Sequence, residues 1–175
     1  EFCSTSKVTF PGAGIAAFVS SEANVAEMLD VMQAQTIGYD KLNQLRHVRF
    51  MTDEGGIAAH MSKHAALLRP RFEAVLRIFD EDLGGTGIGT WTRPRGGYFI
   101  SFTGPEGTAK ETVRKAKEAG VILTGAGATW PYGKDPHDSN IRIAPSFPTV
   151  EELEQAARIL TLCVRMTALE QLMEV

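Results

Sequence analysis

Two stretches in the first third of the chain carry apolar residues at the three- and four-residue spacing of a helix. Ser20 or Ser21 can cap the first stretch, whose apolar face lies within residues 25–32, and Gly38 ends its pattern. The second stretch covers residues 42–50 and includes several basic side chains. The sequence therefore predicts two short helices, each with one apolar face.

A longer helical pattern covers residues 57–79 and contains Pro70. Proline has no backbone N–H and its ring collides with the preceding turn, so we expect this helix to kink or split. The last helix begins at Thr149, with Glu152 as its capping-box partner. We expect one face of it to be buried, through Leu153, Ala156, Leu160, Val164, Ala168 and Leu172.

Short apolar runs predict strands. A loop rich in hydroxyl, proline and glycine residues opens the chain and leads into residues 15–19, which we expect to form a buried strand. After a glycine cluster at residues 84–89, extended runs at residues 98–102, 121–123 and 141–144 predict three more strands.

A further helix lies between the strands predicted at residues 98–102 and 121–123. Thr108 and Glu111 match a capping box at its beginning, and Gly120 ends it. Helices thus alternate with short strands, which indicates an α/β chain with helices over a small sheet.

Composition and charge exclude several functional classes. The 175 residues are 43% hydrophobic and 22% charged, and the net charge of -3 gives no reason to expect nucleic acid or an anionic membrane as a partner. Cys3 and Cys163 lie far apart, which argues against a disulfide framework or a thiolate zinc site. No apolar run is long enough to cross a bilayer, and a reducing cytoplasm is the expected location.

The tetrapeptide Ser4-Thr5-Ser6-Lys7 carries the most informative chemistry. A lysine amine is a poor nucleophile at neutral pH until its surroundings favour the neutral form, after which it suits imine chemistry. The hydroxyls before it and the backbone amides of the glycine turn after it could both donate to a phosphate. The segment predicts a place for a phosphorylated carbonyl cofactor, and a flexible loop with a solvated lysine is the alternative.

Two other patterns imitate known sites. Residues 12–17 look like a dinucleotide fingerprint, but their glycines precede an apolar strand instead of linking a strand to a helix. His60 and His64 stand four residues apart on a predicted helix, as metal ligands can, yet no acidic third ligand follows nearby. We therefore expect neither a Rossmann site nor a metal site.

Four segments, in the expected order, resemble fold-type I aminotransferases that depend on pyridoxal phosphate. Residues 4–14 resemble the Ser-x-Ser-Lys motif with its glycine turn, and residues 94–99 resemble the Pro-x-Gly-Gly-aromatic strand. Residues 121–127 resemble the strand and turn that follow, and residues 140–143 resemble the strand that carries the substrate arginine. Residues 4–14 and 37–47 are most similar to a bacterial aspartate aminotransferase subgroup related to MocR-type proteins.

The resemblance implies the carboxy-terminal part of that fold. Residues 1–75 would be the incomplete end of the large, cofactor-binding domain, and residues 76–175 the α+β small domain. A homodimer is implied, because the active site in this family lies between two subunits. A loop with candidate chemistry at residues 4–14, with no preceding strand to hold it, also suggests one fragment of a longer protein.

The resemblance also implies a cofactor and a reaction. Pyridoxal 5'-phosphate would form a Schiff base with Lys7, beside Ser4 and Ser6, and Lys7 would act as acid and base while an amino group moves from aspartate or a similar amino acid to 2-oxoglutarate. Many relatives hold the phosphate with an arginine about seven or eight residues after the lysine, where this chain has Gly14 and Ile15. Phosphate binding would then depend on the serines, backbone amides or residues outside this chain.

Arg142 corresponds to the arginine that binds the substrate α-carboxylate. A guanidinium offers a planar pair of donors that matches a carboxylate, which orients the substrate for reaction. A strand arginine in a surface ion pair is the alternative. For a second, distal carboxylate the candidates are Lys41, Arg95 and Lys134, and the sequence does not choose among them.

Two other functions agree with the same motifs. The chain could be the pyridoxal-phosphate-binding effector region of a MocR-type transcription regulator, which would carry a winged-helix segment upstream. It could also be an inactive fragment of the enzyme, because the family's pyridine-nitrogen aspartate and ring-stacking aromatic residue lie in sequence that is absent here.

Overall fold

Helices make up most of the regular structure, and short antiparallel strands lie between them. The computed structural model describes residues 1–53 and 56–173, which fall into two units, Glu1–His64 and Ala65–Val175. The boundary lies inside one helix, as does the domain boundary predicted near residue 75. No helix among the described residues has both the length and the apolarity needed to cross a membrane.

The first unit pairs two short strands and continues as helices. Its elements are β1 (Phe2–Ser4), β2 (Ala16–Phe18), α1 (Glu22–Gln35), α2 (Lys41–Asp53) and the start of α3 (Gly56–Leu83). β1 and β2 are antiparallel, with Cys3 opposite Ala17. The predicted strand at residues 15–19 therefore forms, but its predicted burial is wrong, because the alanines of β2 are exposed.

Local capping and apolar periodicity explain α1, although nothing is buried on it. The Ser21 hydroxyl accepts a hydrogen bond from the Asn24 N–H at 3.4 Å, which confirms the predicted N-cap. Met28 and Leu29 lie on the predicted apolar face and remain exposed. Periodicity thus predicted the helix but not the burial of its apolar face within the described chain.

The second unit contains a three-stranded antiparallel sheet and two long helices. Its elements are the remainder of α3, β3 (Thr90–Trp91), β4 (Ile100–Thr103), α4 (Ala109–Glu118), a 3-10 turn (Pro131–Gly133), β5 (Asn140–Ile143) and α5 (Val150–Met173). The strand order is β3-β4-β5, and Ser101 of β4 lies opposite Arg142 of β5. This register places both residues on the same face of the sheet.

The core of the second unit lies between the other face of this sheet and the helices α3 and α5. Phe79 contacts Trp91 and Phe102 edge to face, with ring centroids 5.6 and 5.7 Å apart. Ile100 and Leu160 belong to the same buried cluster. This core fixes β4 and β5, and with them the polar face that includes Arg142.

Pro70 does not split α3. The helix continues without a break from Gly56 to Leu83, although proline removes one hydrogen bond from its backbone ladder. The Arg71 guanidinium donates to the Leu67 carbonyl at 2.7 Å and to the Pro148 carbonyl at 2.9 Å. The Arg71 side chain thus ties this turn of α3 to the loop before α5, next to the position where the backbone ladder lacks a donor.

The two predicted capping boxes have different outcomes. At α5, Glu152 accepts from the Thr149 N–H at 2.8 Å and Thr149 Oγ1 accepts from the Glu152 N–H at 3.2 Å, which confirms the box. At α4 the box is wrong, because the Thr108 hydroxyl donates to the Pro105 carbonyl at 2.6 Å. The Glu111 carboxylate instead pairs with two basic side chains of its own helix.

Two other predictions differ from the structure. Residues 121–123 form no strand, because the Val121 N–H closes the end of α4 by donating to the Ala116 carbonyl at 2.8 Å, and Ile122 is 84% exposed. On α5 the buried stripe includes Ala157 instead of Ala156. It ends before Leu172, which is 71% exposed.

Candidate functional site

Lys7 lies in a loop between β1 and β2 whose two ends are tied together. The Thr5 N–H donates to the Ile15 carbonyl at 2.8 Å, and the Ile15 N–H donates to Thr5 Oγ1 at 2.9 Å. Within the loop, the N–H groups of Val8 and Thr9 both donate to the Thr5 carbonyl, at 2.8 and 2.9 Å. The backbone around Lys7 is therefore a closed, hydrogen-bonded turn.

Ser4 and Ser6 present two hydroxyls side by side. Their Oγ atoms lie 2.9 Å apart, and both residues are exposed, as is Lys7. Gly14 packs against this pair so closely that a Cβ on it would lie 2.8 Å from Ser6 Cα and 2.9 Å from Ser6 N. The loop thus brings Ser4, Ser6 and Lys7 together, and two exposed hydroxyls at this separation suit a shared anionic group such as phosphate.

His47 supports the loop from α2 and is only 1% exposed. Its Nε2 lies 2.7 Å from Thr9 Oγ1 and 3.1 Å from Thr5 Oγ1. Its Nδ1 lies 2.8 Å from the Asn43 carbonyl oxygen, which can only accept, so Nδ1 carries a hydrogen. Local sequence patterns predicted no role for His47, because its partners lie about forty residues away in the chain.

Two more side chains hold the same loop from outside. Asn43 Nδ2 donates to the Ala13 carbonyl at 2.7 Å, and His60 Nε2 donates to the Val8 carbonyl at 2.6 Å. The His60 ring also packs edge-on against His64, at 4.5 Å between centroids. Within residues 1–53 and 56–173, no three His, Cys, Asp or Glu side chains come together as a metal site requires.

Arg142 lies in the second unit, on the polar face of β5. Its guanidinium carbon lies 4.6 Å from the centre of the Phe99 ring, a cation–π contact. Its Nε is buried and has no hydrogen-bond partner among the residues that the structure describes. A buried, unpaired guanidinium nitrogen is costly, so Arg142 is chemically suited to receive a carboxylate.

Asn140 braces the strand on which Arg142 lies. Its Nδ2 donates to Ser101 Oγ at 2.9 Å and to the Phe102 carbonyl at 3.1 Å, and its Oδ1 accepts from the Thr129 hydroxyl at 2.8 Å. These bonds join β4, β5 and the preceding loop around one amide. The strand's register is therefore fixed by side-chain contacts as well as by the backbone ladder.

A buried carboxylate organises the turn before β5. Asp135 accepts from the N–H groups of His137, Ser139 and Asn140, at 3.0, 2.9 and 3.0 Å. Burial pushes the pKa of Asp135 upward, but the three N–H donors together outweigh it and leave the pKa below its ordinary value. The hydrogen bond that His137 Nδ1 donates to the Glu106 carboxylate, at 2.8 Å, raises the pKa of His137.

The candidates for a distal carboxylate are divided between the two units. Lys41 lies in the first unit, whereas Arg95 and Lys134 lie in the second, and all three are exposed. Their positions within the units give no reason to prefer one. The choice among them stays open.

A family comparison covers the entire chain. The family model described as "Aspartate amino-transferase" matches residues 1–175. An aspartate aminotransferase from Corynebacterium glutamicum is 46% identical over 169 residues, which are 97% of this chain and 39% of that protein. The chain spans only about two fifths of the length of the curated relatives it matches, 40% and 39%.

Solved structures agree with this comparison. An aspartate transaminase from Corynebacterium glutamicum superposes with a TM-score of 0.89 at 46% identity, covering 97% of this chain and 40% of that chain. A candidate aminotransferase from Corynebacterium diphtheriae gives 0.88 at 49% identity, covering 97% and 42%. A kynurenine aminotransferase from Pyrococcus horikoshii gives 0.76 at 22% identity, covering 93% and 39%, which is a likeness of fold alone.

These matches confirm the predicted fold class and the resemblance carried by the four motifs. They span both units, from the lysine loop to the last helix. The chain belongs to the aspartate amino-transferase family.

Proposed function

We propose that the protein is a pyridoxal-phosphate-dependent aminotransferase in which Lys7 is the attachment point of the cofactor. The observation that carries the proposal is the closed loop in which Ser4 and Ser6 place two exposed hydroxyls 2.9 Å apart, next to Lys7. Membership of the aspartate amino-transferase family supports it.

The residues of the loop fit the cofactor's charged and reactive ends. Ser4 and Ser6 would donate to its phosphate, together with backbone amides of the glycine turn, in place of the arginine that Gly14 and Ile15 replace. Gly14 leaves space for the Ser6 hydroxyl, because a Cβ there would collide with Ser6 Oγ. Lys7 would supply the amine that condenses with the cofactor's carbonyl carbon, with the carbonyl oxygen leaving as water.

When bound, pyridoxal phosphate supplies an electron sink for the electron pair left after a substrate loses its α-proton. Lys7 Nζ would take up the substrate's α-proton and release it again. The tied loop would hold the Lys7 backbone in place while the amine moves this proton.

Arg142 would bind the substrate α-carboxylate through two parallel N–H donors. Its unpartnered Nε and its contact with Phe99 support this role, because the ring fixes the guanidinium plane while leaving donors available. Asn140 and Asp135 would hold β5 so that the arginine keeps its register.

For the substrates we propose aspartate as amino donor and 2-oxoglutarate as acceptor. The support is the family and the 46% identity to an aspartate aminotransferase from Corynebacterium glutamicum. A homodimer and a cytoplasmic location belong to the same proposal.

The test uses the complete natural protein that contains these residues. Wild type and Lys7→Ala are incubated with pyridoxal phosphate, reduced with borohydride and digested, and mass spectrometry locates the labelled lysine. We expect a single dominant label on Lys7, and an absorbance band that is absent from Lys7→Ala and is discharged by aspartate.

Two other outcomes decide between functions. A Lys7-dependent band that no amino acid discharges would favour the transcription-regulator alternative, because such a protein keeps the cofactor without turnover. Labelling of other lysines with none on Lys7 would overturn the proposal.

A further inference from the structure

The two threonines that flank Lys7 converge on one buried ring nitrogen. Thr5 lies two residues before Lys7 and Thr9 two residues after it, and their hydroxyls lie 3.1 and 2.7 Å from His47 Nε2. Thr5 also receives the backbone N–H of Ile15 that closes the loop. His47 therefore contacts both arms of the turn that carries the lysine.

A contact within α2 determines which atom accepts in these hydrogen bonds. Because the Asn43 carbonyl holds the hydrogen on Nδ1, the neutral ring presents Nε2 to the loop as an acceptor. The Thr9 hydroxyl, at 2.7 Å, is the nearer donor to it, with the Thr5 carbonyl 3.2 Å away as its other acceptor. The Thr5 hydroxyl can donate either to Nε2 at 3.1 Å or to the Ile15 carbonyl at 3.3 Å. At 1% exposure the ring is shielded from water, which would otherwise compete for the same hydroxyls.

In the described part of the first unit, no other buried side chain is available to hold the turn around Lys7. Among residues 1–52 and 56–64, His47 is the one buried side chain, so no buried apolar side chain fixes the turn. Phe10 packs edge-on against the His47 ring at 5.2 Å and adds a further contact from the same loop.

We propose that His47 is a positioning residue for Lys7: through Nε2 it holds Thr5 and Thr9 and so fixes the turn from which the lysine amine captures its cofactor. This inference rests on the proposed function in one respect, the role of Lys7 in that capture. An exposed lysine has many rotamers, and a fixed backbone reduces the volume that its amine explores.

Two matched pairs of variants test the contact. His47→Gln keeps a hydrogen-bonding group near the position of Nε2, whereas His47→Asn keeps one near Nδ1 and cannot reach the threonines. Thr9→Ser keeps the hydroxyl that lies 2.7 Å from Nε2, whereas Thr9→Val removes it at nearly constant shape. Each pair separates the loop contact from general packing at its site.

The first readout needs no cofactor. Amide hydrogen exchange is measured across residues 5–15 in the complete natural protein, together with the melting temperature. We expect exchange in this segment to be about tenfold faster in His47→Asn and Thr9→Val, and close to wild type in His47→Gln and Thr9→Ser.

The second readout is the rate at which pyridoxal phosphate is trapped on Lys7 by borohydride, relative to the exposed Lys117 in the same digest. We expect trapping on Lys7 to slow by about tenfold in His47→Asn and Thr9→Val, with Lys117 unchanged. Equal Lys7 rates within each pair would overturn the inference, as would an equal fall in melting temperature and exchange protection in both His47 variants.

Failure of the proposed function gives a different result. If wild type traps no cofactor on Lys7, the proposed function is wrong, and the cofactor part of this inference fails with it. The exchange comparison still decides whether His47 orders the turn.

Discussion

The two units of the chain are stabilised by different interactions. The second, Ala65–Val175, has a contiguous apolar core built from α3, α5 and the three-stranded sheet. In the described part of the first, Glu1–His64, the one buried side chain is the polar His47, and the lysine loop is held by hydrogen bonds from threonine, asparagine and histidine side chains.

Because of this difference, the interactions that stabilise the fold are largely distinct from those that position the candidate reactive groups. Apolar burial is non-directional and gives stability, whereas a network of hydrogen bonds fixes particular atoms at particular distances. The proposed cofactor loop depends on the second kind of interaction, and the platform for Arg142 combines the two. Variants should therefore affect activity and unfolding to very different extents in the two units.

The largest expected effect is on activity alone. Lys7→Ala removes the proposed attachment point and proton carrier, so we expect aspartate transamination to fall by about a thousandfold or more. The melting temperature should change little, because Lys7 is exposed. Steady-state kinetics with Lys117→Ala, at an exposed lysine of α4, as the matched control checks this, and comparable activity in the two variants would contradict it.

The next effect is on stability. Phe79 is fully buried between Trp91 and Phe102, so Phe79→Ala should lower the free energy of unfolding by about 3 to 5 kcal/mol. Phe147→Ala, at a side chain that is 94% exposed, should change it by less than about 0.5 kcal/mol. Urea unfolding measures both, and equal shifts would show that the apolar core does not stabilise the second unit.

A smaller effect on activity is expected at Arg142, whose strand is held both by apolar packing and by hydrogen bonds. Arg142→Gln should lower kcat/KM for aspartate by about a hundredfold, through loss of a charge-assisted bidentate contact. Arg142→Lys should recover only part of this, since an ammonium lacks the planar fork. Arg158→Gln, which removes an exposed ion-pair partner of Glu81, is the control and should keep wild-type kinetics.

The smallest effect concerns charges on the surface of the second unit. Hydrogen bonds from Arg114 and Lys115 lower the pKa of Glu111 to about 2. A depressed carboxyl pKa stabilises the fold above the ordinary pKa of about 4.5, and this contribution is lost as the pH falls toward 2.

Urea unfolding at a series of pH values tests this against Glu111→Gln. Wild type should be the more stable protein at pH 7, and its advantage should shrink below about pH 4.5. Glu27→Gln on α1 serves as the control. An advantage of wild type over Glu111→Gln that grows in acid would contradict the expected direction.

Local patterns predicted most of the helices and the loop residues of the site. Apolar spacing and capping signals found α1 and α5, and the motif around Lys7 placed Ser4 and Ser6 beside it. These features depend on residues close together in sequence, where side-chain preferences largely decide the geometry.

Features that depend on competition or on distant partners were missed. The Thr108 hydroxyl could either cap α4 or donate to the Pro105 carbonyl, and in the structure it donates to Pro105. His47 looked like an ordinary helical residue until the fold brought it against threonines about forty residues earlier. Periodicity carries no information about which of several polar partners a side chain will meet.

Gly14 has a consequence for how this family's sequences tolerate change. No φ in the left-handed region requires glycine there, and the constraint is the space taken by Ser6. A mutational scan of the protein should therefore find position 14 as intolerant as the lysine itself. Alanine there would displace the Ser6 backbone and separate the two serine hydroxyls, so a residue without a side chain sets the spacing of the proposed anion-binding pair.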